Sequence, residues 1–358
     1  LALDLDADFR LRDLDDNGNP DGWTSAVDYL HKIEHLRWNT PADPFFIQVA
    51  TVDGYTLGHG LLMEDYDPSL FHPYVVQRGL TAGLDGSVLG VPAVGAQLMA
   101  DDVLDWDVIA SRVWVAPLGF MVSGPARLTV GLSGVLDLDN QEEPLSDQYG
   151  PPRDHPSSET VSSVAVDAQL YVLDGEETAL LVYADWAHIV NRGSGVLAGA
   201  ELSYRWLLLR GEVRFSGSGF VPHFFDPYYE LERSVRYAEL DLAEASTGWL
   251  AATELDLFGA VGLAFSWEQE FDGGAGPRIR WGLGLSPEAF PKLSASLSYD
   301  KRGVADLGDF LELQDSLFSL SAAYRVTPSV LIRFTQARVF APWGSSTSQT
   351  VLETRFRF

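Results

Sequence analysis

The stretch Gln349-Thr350-Val351-Leu352-Glu353-Thr354-Arg355-Phe356-Arg357-Phe358 decides how the chain is read. Its character alternates with a period of two, the signature of a strand. Leu352, Thr354, Phe356 and Phe358 share one face, and Val351, Glu353, Arg355 and Arg357 share the other. An ordinary core would have to bury the arginines or leave the phenylalanines uncovered. A closed barrel with hydrocarbon outside and polar groups within accepts both faces.

The same two faces recur upstream. Ala126, Leu128, Val130 and Leu132 alternate with Arg127, Thr129, Gly131 and Ser133. Leu209, Gly211, Val213 and Phe215 alternate with Arg210, Glu212, Arg214 and Ser216. Phe318, Leu320, Ala322 and Tyr324 alternate with Ser319, Ser321, Ala323 and Arg325. Read in this way the chain holds eighteen strands, at 2–12, 29–38, 45–53, 74–84, 88–99, 106–116, 126–133, 162–173, 178–190, 196–206, 209–216, 248–257, 260–270, 278–285, 293–300, 318–325, 330–341 and 349–358. Their connections alternate between longer (13–28, 54–73, 139–161, 217–247, 302–315) and shorter (85–86, 174–177, 258–259, 327–329). Asp85-Gly86 reads as a tight hairpin turn. Two places leave sixteen strands as the fallback: the 206–208 junction has no turn residues, and 230–245 reads equally as a helix or a further hairpin.

The prediction is therefore one all-β domain over 1–358, an antiparallel up-and-down transmembrane barrel with long extracellular loops and short periplasmic turns. A soluble β-sandwich also alternates, but it seldom needs eighteen strands and its outer face carries Lys and Glu. Here Lys occurs only at 32, 292 and 301. No run of 18 apolar residues exists; the longest candidate, 257–267, is too short for a membrane helix. In lipid the alternative to helices is a closed barrel.

The terminal strand resembles the C-terminal signal of bacterial outer-membrane β-barrel proteins, which end on an aromatic after alternating residues. That resemblance implies outer-membrane lipids and the barrel-assembly machinery as partners. It also implies both termini in the periplasm, with Phe358 as the closing edge against residues 2–12. The chain opens on Leu1 directly in alternating sequence, which implies that an export signal has been removed. Thr56-Leu57-Gly58-His59-Gly60, together with the terminal Phe358, resembles uncharacterised outer-membrane proteins of spirochaetes.

Charge and composition narrow the function. There are 51 acids against 24 bases, a net charge of −27, so nucleic acid is excluded for want of a basic footprint. No Cys is present, which excludes disulfides and thiolate metal sites. The nucleophile-elbow pattern Gly-x-Ser-x-Gly is incomplete at both 193–195 and 217–219, and the seven histidines form no zinc-protease motif. No enzymatic constellation emerges, although barrel enzymes exist.

Three stretches carry candidate sites. Asp13, Asp15, Asn17, Asn19 and Asp21 place oxygens at alternate positions around Gly18, a pattern that resembles the Asp-rich calcium loops of EF-hand, dockerin and thrombospondin type 3 repeats. The EF-hand match fails at its twelfth position, Thr24, and an acidic surface turn explains the same residues. Residues 54–73 are too apolar for a solvated loop. They are similar in that respect to the porin loop that folds into the lumen, with His59, Asp65 and Asp67 as constriction residues; an ordinary loop with a short strand is the alternative. By parity Arg127, Arg205, Arg210, Glu212, Arg214, Arg278, Arg280, Arg325, Arg355 and Arg357 line the pore. These arginines either set ion preference or pair with Glu201, Glu212, Asp300 and Glu353 to brace a plugged barrel. The functional expectation is a porin-like channel or transporter for small solutes or ions. The alternatives are a plugged structural or adhesive barrel with cation-binding acidic loops, and a barrel enzyme.

Overall fold

A computed structural model describes residues 3–7, 33–68, 77–120, 128–140, 160–271, 274, 276–286, 289–304, 306, 308–342, 344 and 346–356. One 18-stranded sheet dominates. Its strands are β1 (Leu3–Ala7), β2 (Ile33–Trp38), β3 (Phe45–Ala50), β4 (Gly79–Asp85), β5 (Val94–Ala100), β6 (Val108–Val115), β7 (Leu128–Asp137), β8 (Val161–Asp174) and β9 (Thr178–Ile189). They continue as β10 (Ser194–Tyr204), β11 (Leu207–Ser216), β12 (Ser246–Leu257), β13 (Val261–Glu270), β14 (Arg278–Leu285), β15 (Leu293–Lys301), β16 (Ser316–Thr327), β17 (Val330–Phe340) and β18 (Ser346–Phe356). An α-helix, α1 (Tyr229–Leu242), lies between β11 and β12.

Each strand pairs antiparallel with its sequence neighbour, from β1–β2 through to β17–β18. This is an up-and-down meander. Among the described residues β1 pairs only with β2 and β18 only with β17, so the expected seam between the two ends is not among the pairings found. The sheet nonetheless curls around its contents. Residues 51–68 bond at once to β8, β9, β11 and β14. From the segment around α1, Tyr229 reaches β7 and Tyr228 reaches β15.

The register fixes which face is which. Arg280 sits beside Ser266 on one side and Asp300 on the other, and all three face inward. Leu209, Val213 and Phe215 face outward from β11, and Leu132, Val164, Val166, Trp186 and Val196 carry the same exposed face across β7–β10. Leu352 on β18 is 70% exposed. A continuous apolar belt of this extent does not stay in water. Aromatics mark its borders: Trp38, Phe45, Tyr204, Trp206, Phe258, Phe290 and Tyr324 stand exposed near the short-turn rim, and Trp106, Phe215 and Phe271 near the other. Such girdles flank the hydrocarbon band of a transmembrane barrel.

Turn chemistry explains two departures from the expected strands. Asp85-Gly86 is not a two-residue hairpin. The Asp85 carboxylate accepts the Ser87 N–H at 2.8 Å and starts a 3-10 turn over Gly86–Leu89. Gly90 then takes φ 73° and β5 begins only at Val94, beyond Pro92. The 206–208 junction, which has no turn residues, is turned by Arg205 at φ 48°, so β10 and β11 are separate strands and the count is eighteen. Residues 229–242 are the helix and not a hairpin. Glu230 and Glu232 lie in its first turn, favourable to the dipole, and Glu230–Arg233 and Glu232–Arg236 pair along it.

Candidate functional site in the lumen

Two inserts from the long-loop rim occupy the lumen. The first is residues 51–68, between β3 and β4. The second is 217–245, which contains α1. They bond to each other through backbone. The Glu64 N–H donates to Phe225 O at 3.1 Å, and the His223 and Phe225 N–H groups donate to Leu61 O and Leu62 O at 3.0 and 3.1 Å. Within the first insert Tyr55 and Tyr66 exchange backbone bonds, making a small hairpin.

This pair packs an apolar core against the β5–β10 part of the wall. Leu57, Leu61, Leu62, Met63 and Tyr66 meet Phe220, Phe224, Phe225 and Tyr229, and behind them stand Met99, Val108, Val135, Ala187, Ile189 and Leu197 from β5–β10. Met63 and Tyr66 are 0% exposed. Each such side chain contributes about 1.5–3 kcal/mol on burial. An inward glycine admits the second insert: a Cβ on Gly195 would stand 2.2 Å from the Phe220 ring.

Charge fixes the plug on its other flank. Glu64 lies 2.7 Å from Arg280 and 3.4 Å from Arg210, and Asp65 lies 3.1 Å from Arg280. Burial alone would raise the Glu64 carboxyl, but Arg280, His223, Arg214 and Arg210 hold it well below the usual carboxylate range. Arg214 bridges Glu212 and Glu268 at 2.5 Å each. Asp226 takes Arg236 at 2.7 Å and Arg278 at 3.1 Å, while Arg302 takes Glu232 at 2.7 Å. Buried Arg233 holds Glu230 at 2.7 Å and faces Asp101, Asp107 and Asp137. Buried charges are tolerated when paired and hydrogen-bonded in this way.

The predicted residues divide. Arg210, Glu212, Arg214, Arg278 and Arg280 face the lumen, each in contact with an opposite charge. Arg325 lies exposed at the short-turn end of β16. β10 ends at Tyr204, so Arg205 stands in the turn, exposed and 2.6 Å from Glu177, where it borders a cavity at the short-turn rim. Arg355 belongs to β18 and pairs in register with Leu331. Arg127 and Arg357 lie outside the described residues, as do Asp13, Asp15, Asn17, Asn19 and Asp21 of the calcium pattern. His59, Asp65 and Asp67 lie on the first insert, where His59 meets Asp185 and Gln169.

Sequence reading missed Glu64, His223, Asp226, Arg233, Arg236 and Arg302. The apolar density of 220–229, crowded with Phe and Tyr between polar strands, was the available signal. Among the described residues no group of three or more His, Asp or Glu side chains could hold a metal ion.

Open space remains beside β10–β16. A cavity of about 470 Å³ lies between the first insert and β11–β16. Its lining includes Asp53, Thr56, Asp65, Asp67, Arg210, Glu254, Ser266, Arg280, Ser298 and Ser319. A second, of about 550 Å³, shares Glu254, Ala264 and Gly282 with it and extends past Gly262, Gly284 and Ser296 to Arg205 and Trp206 at the short-turn rim. Small inward residues leave this space. A Cβ added at Gly262 or Gly284 would meet nothing within 4 Å.

A lipid-facing belt, aromatic borders and a polar interior define the chain as a β-barrel of the outer-membrane type. No family model and no curated protein matches it. Its fold is similar to bacterial porins of known structure. A mutant form of the Rh. blastica porin overlays with TM-score 0.38 at 11% identity, covering 90% of each chain. Omp33 of Acinetobacter baumannii overlays with TM-score 0.29 at 11% identity, covering 74% of this chain and 96% of that one. The fold assignment rests on the strand pairing and the two faces, not on these overlays.

Proposed function

We propose that the chain forms a narrow channel for small solutes or ions across a bacterial outer membrane. One observation carries this reading: two adjoining cavities run between the first insert and the small-residue wall of β11–β16 to the short-turn rim. Among the described residues the plug packs against β5–β10 and β15–β17, and these cavities lie between those contacts. Purified protein in a planar bilayer should give small, discrete conductance steps. Absence of current at every voltage would remove the channel and leave a sealed barrel.

The sealed barrel is the second reading, and the web of Arg–carboxylate contacts across the plug favours it. On that reading the acidic loops act outside, and calcium at Asp13, Asp15, Asn17, Asn19 and Asp21 would stiffen one of them. Thermal stability with and without chelator, in wild type and Asp15→Ala, tests the ion. No shift on chelation removes it.

A further inference from the structure

The first insert is pinned to the β8–β9 wall through His59, and the contacts suit a doubly protonated ring. The imidazole lies flat on Tyr183, with centroids 4.1 Å apart and planes 12° apart. Nδ1 is 2.7 Å from Asp185 Oδ1, and Nε2 is 3.0 Å from Gln169 Oε1. Both nitrogens face oxygen, and both donate only in the imidazolium. The main chain joins in. The His59 N–H reaches Asp185 Oδ2 at 3.3 Å, and Arg210 donates to the His59 carbonyl at 2.9 Å. Gly58 and Gly60, at φ 62° and 91°, give the tip its shape.

The charged and titratable groups on the elements around the ring are Asp185 and Tyr183 on β9, Asp167 on β8, Arg112 on β6, Glu201 on β10 in register with Arg210, Arg210 and Glu212 on β11, and Glu64 on the insert. Asp167 engages Arg112 at 2.6 and 2.9 Å, and Glu212 engages Arg210 at 2.5 Å. Among the described residues the cation that meets Asp185 is His59. The Asp185 side chain is 3% exposed. A neutral ring would therefore leave a buried carboxylate without a counter-charge, an expensive state.

We propose that His59 is a protonation-dependent anchor of the lumenal insert: the imidazolium docks the 57–63 tip on β8 and β9, and loss of its proton loosens the tip on that wall. The anchoring stands whether or not the barrel conducts. Burial works against the charged ring, but the hydrogen bond and charge of Asp185, with Gln169 and Asp167, raise its pKa above the ordinary 6.5. The docked state thus holds its proton more tightly than the undocked one. Docking is fully favoured below pH 6.5 and is lost as pH rises through the raised value.

Hydrogen exchange of amides 57–63 in detergent-solubilised protein tests this, corrected for intrinsic exchange, at about pH 6 and about pH 9. Wild type should lose roughly three- to tenfold protection across that interval. His59→Gln should be less protected at both values and show no step. His59→Lys, charged throughout, should stay protected and flat. A flat wild type overturns the anchor, and so does a step that persists in His59→Gln. Bilayer recordings over the same pH range separate the two readings. Absence of current at either pH sinks the channel but leaves the exchange result standing.

Discussion

Asp101 and Glu64 show how this lumen sets the state of a single carboxyl. Both are buried. Glu64 is ringed by arginines and stays ionised. Asp101 is pushed up to about 8, by burial first and by Glu230 next, with Arg233 only partly offsetting them. Above pH 3.8 the unfolded chain gives up this proton, while the folded protein keeps it until about 8. Stability therefore falls as pH rises across that window. Asp101→Asn resembles the protonated acid and removes the titration. At about pH 8.5 it should melt roughly 2–4 °C above wild type, and at about pH 4 within a degree or so of it. A variant that melts lower at the alkaline value contradicts the assignment. Nothing in the sequence distinguishes these two carboxyls, since both follow strands in acidic loops. Their states depend on partners at distant positions, Arg280 for one and Glu230 for the other.

Among the elements, strands were legible and inserts were not. A strand shows its environment in its own alternation: β11 reads as apolar out and charged in without any neighbour. The helix α1 has no such signature, because one side meets β5–β7 and the other meets β15–β17, and both contacts are partly ionic. Residues 54–73 were readable as a lumenal candidate from their apolar character alone. Their partner insert was not, since its docking depends on backbone bonds between Leu61–Glu64 and His223–Phe225. Arg233 is the joint on which that assembly depends. It is 1% exposed and gathers Glu230, Asp101, Asp107 and Asp137. Arg233→Met should cost about 3–5 kcal/mol, because buried Glu230 stays behind without its cation. The check is thermal unfolding together with limited proteolysis, where cleavage within 217–245 should appear before the sheet melts. If the insert stays protected in a folded variant, α1 is held by its apolar contacts instead.

At the scale of the molecule, the chain should migrate faster on a gel when unboiled than when boiled, as a detergent-resistant sheet does. Identical migration in both states would count against the barrel. Ion preference follows from the same architecture, and here parity alone points to the opposite sign. Parity gives an arginine-rich wall, which taken alone favours anions. In the folded chain those arginines are occupied: Arg210 meets Glu212, Arg280 meets Glu64, and Arg278 meets Asp300. The cavity beside the first insert is bounded by Asp53, Glu64, Asp65, Asp67, Glu254 and Asp300 against Arg210 and Arg280, six acids to two bases. Adding the charges beside these, Glu212 with Arg214, Arg278 and Arg333, leaves seven acids to five bases. One uncompensated charge in about 470 Å³ is roughly 4 M of fixed charge, far above physiological salt. In a roughly tenfold KCl gradient the reversal potential should therefore take the sign of potassium permeation. Glu254 projects into the open space on β12 and is exposed, so Glu254→Gln should reduce that potential while leaving the fold intact. A reversal potential of chloride sign in wild type would mean that ions take a route other than the one beside the plug.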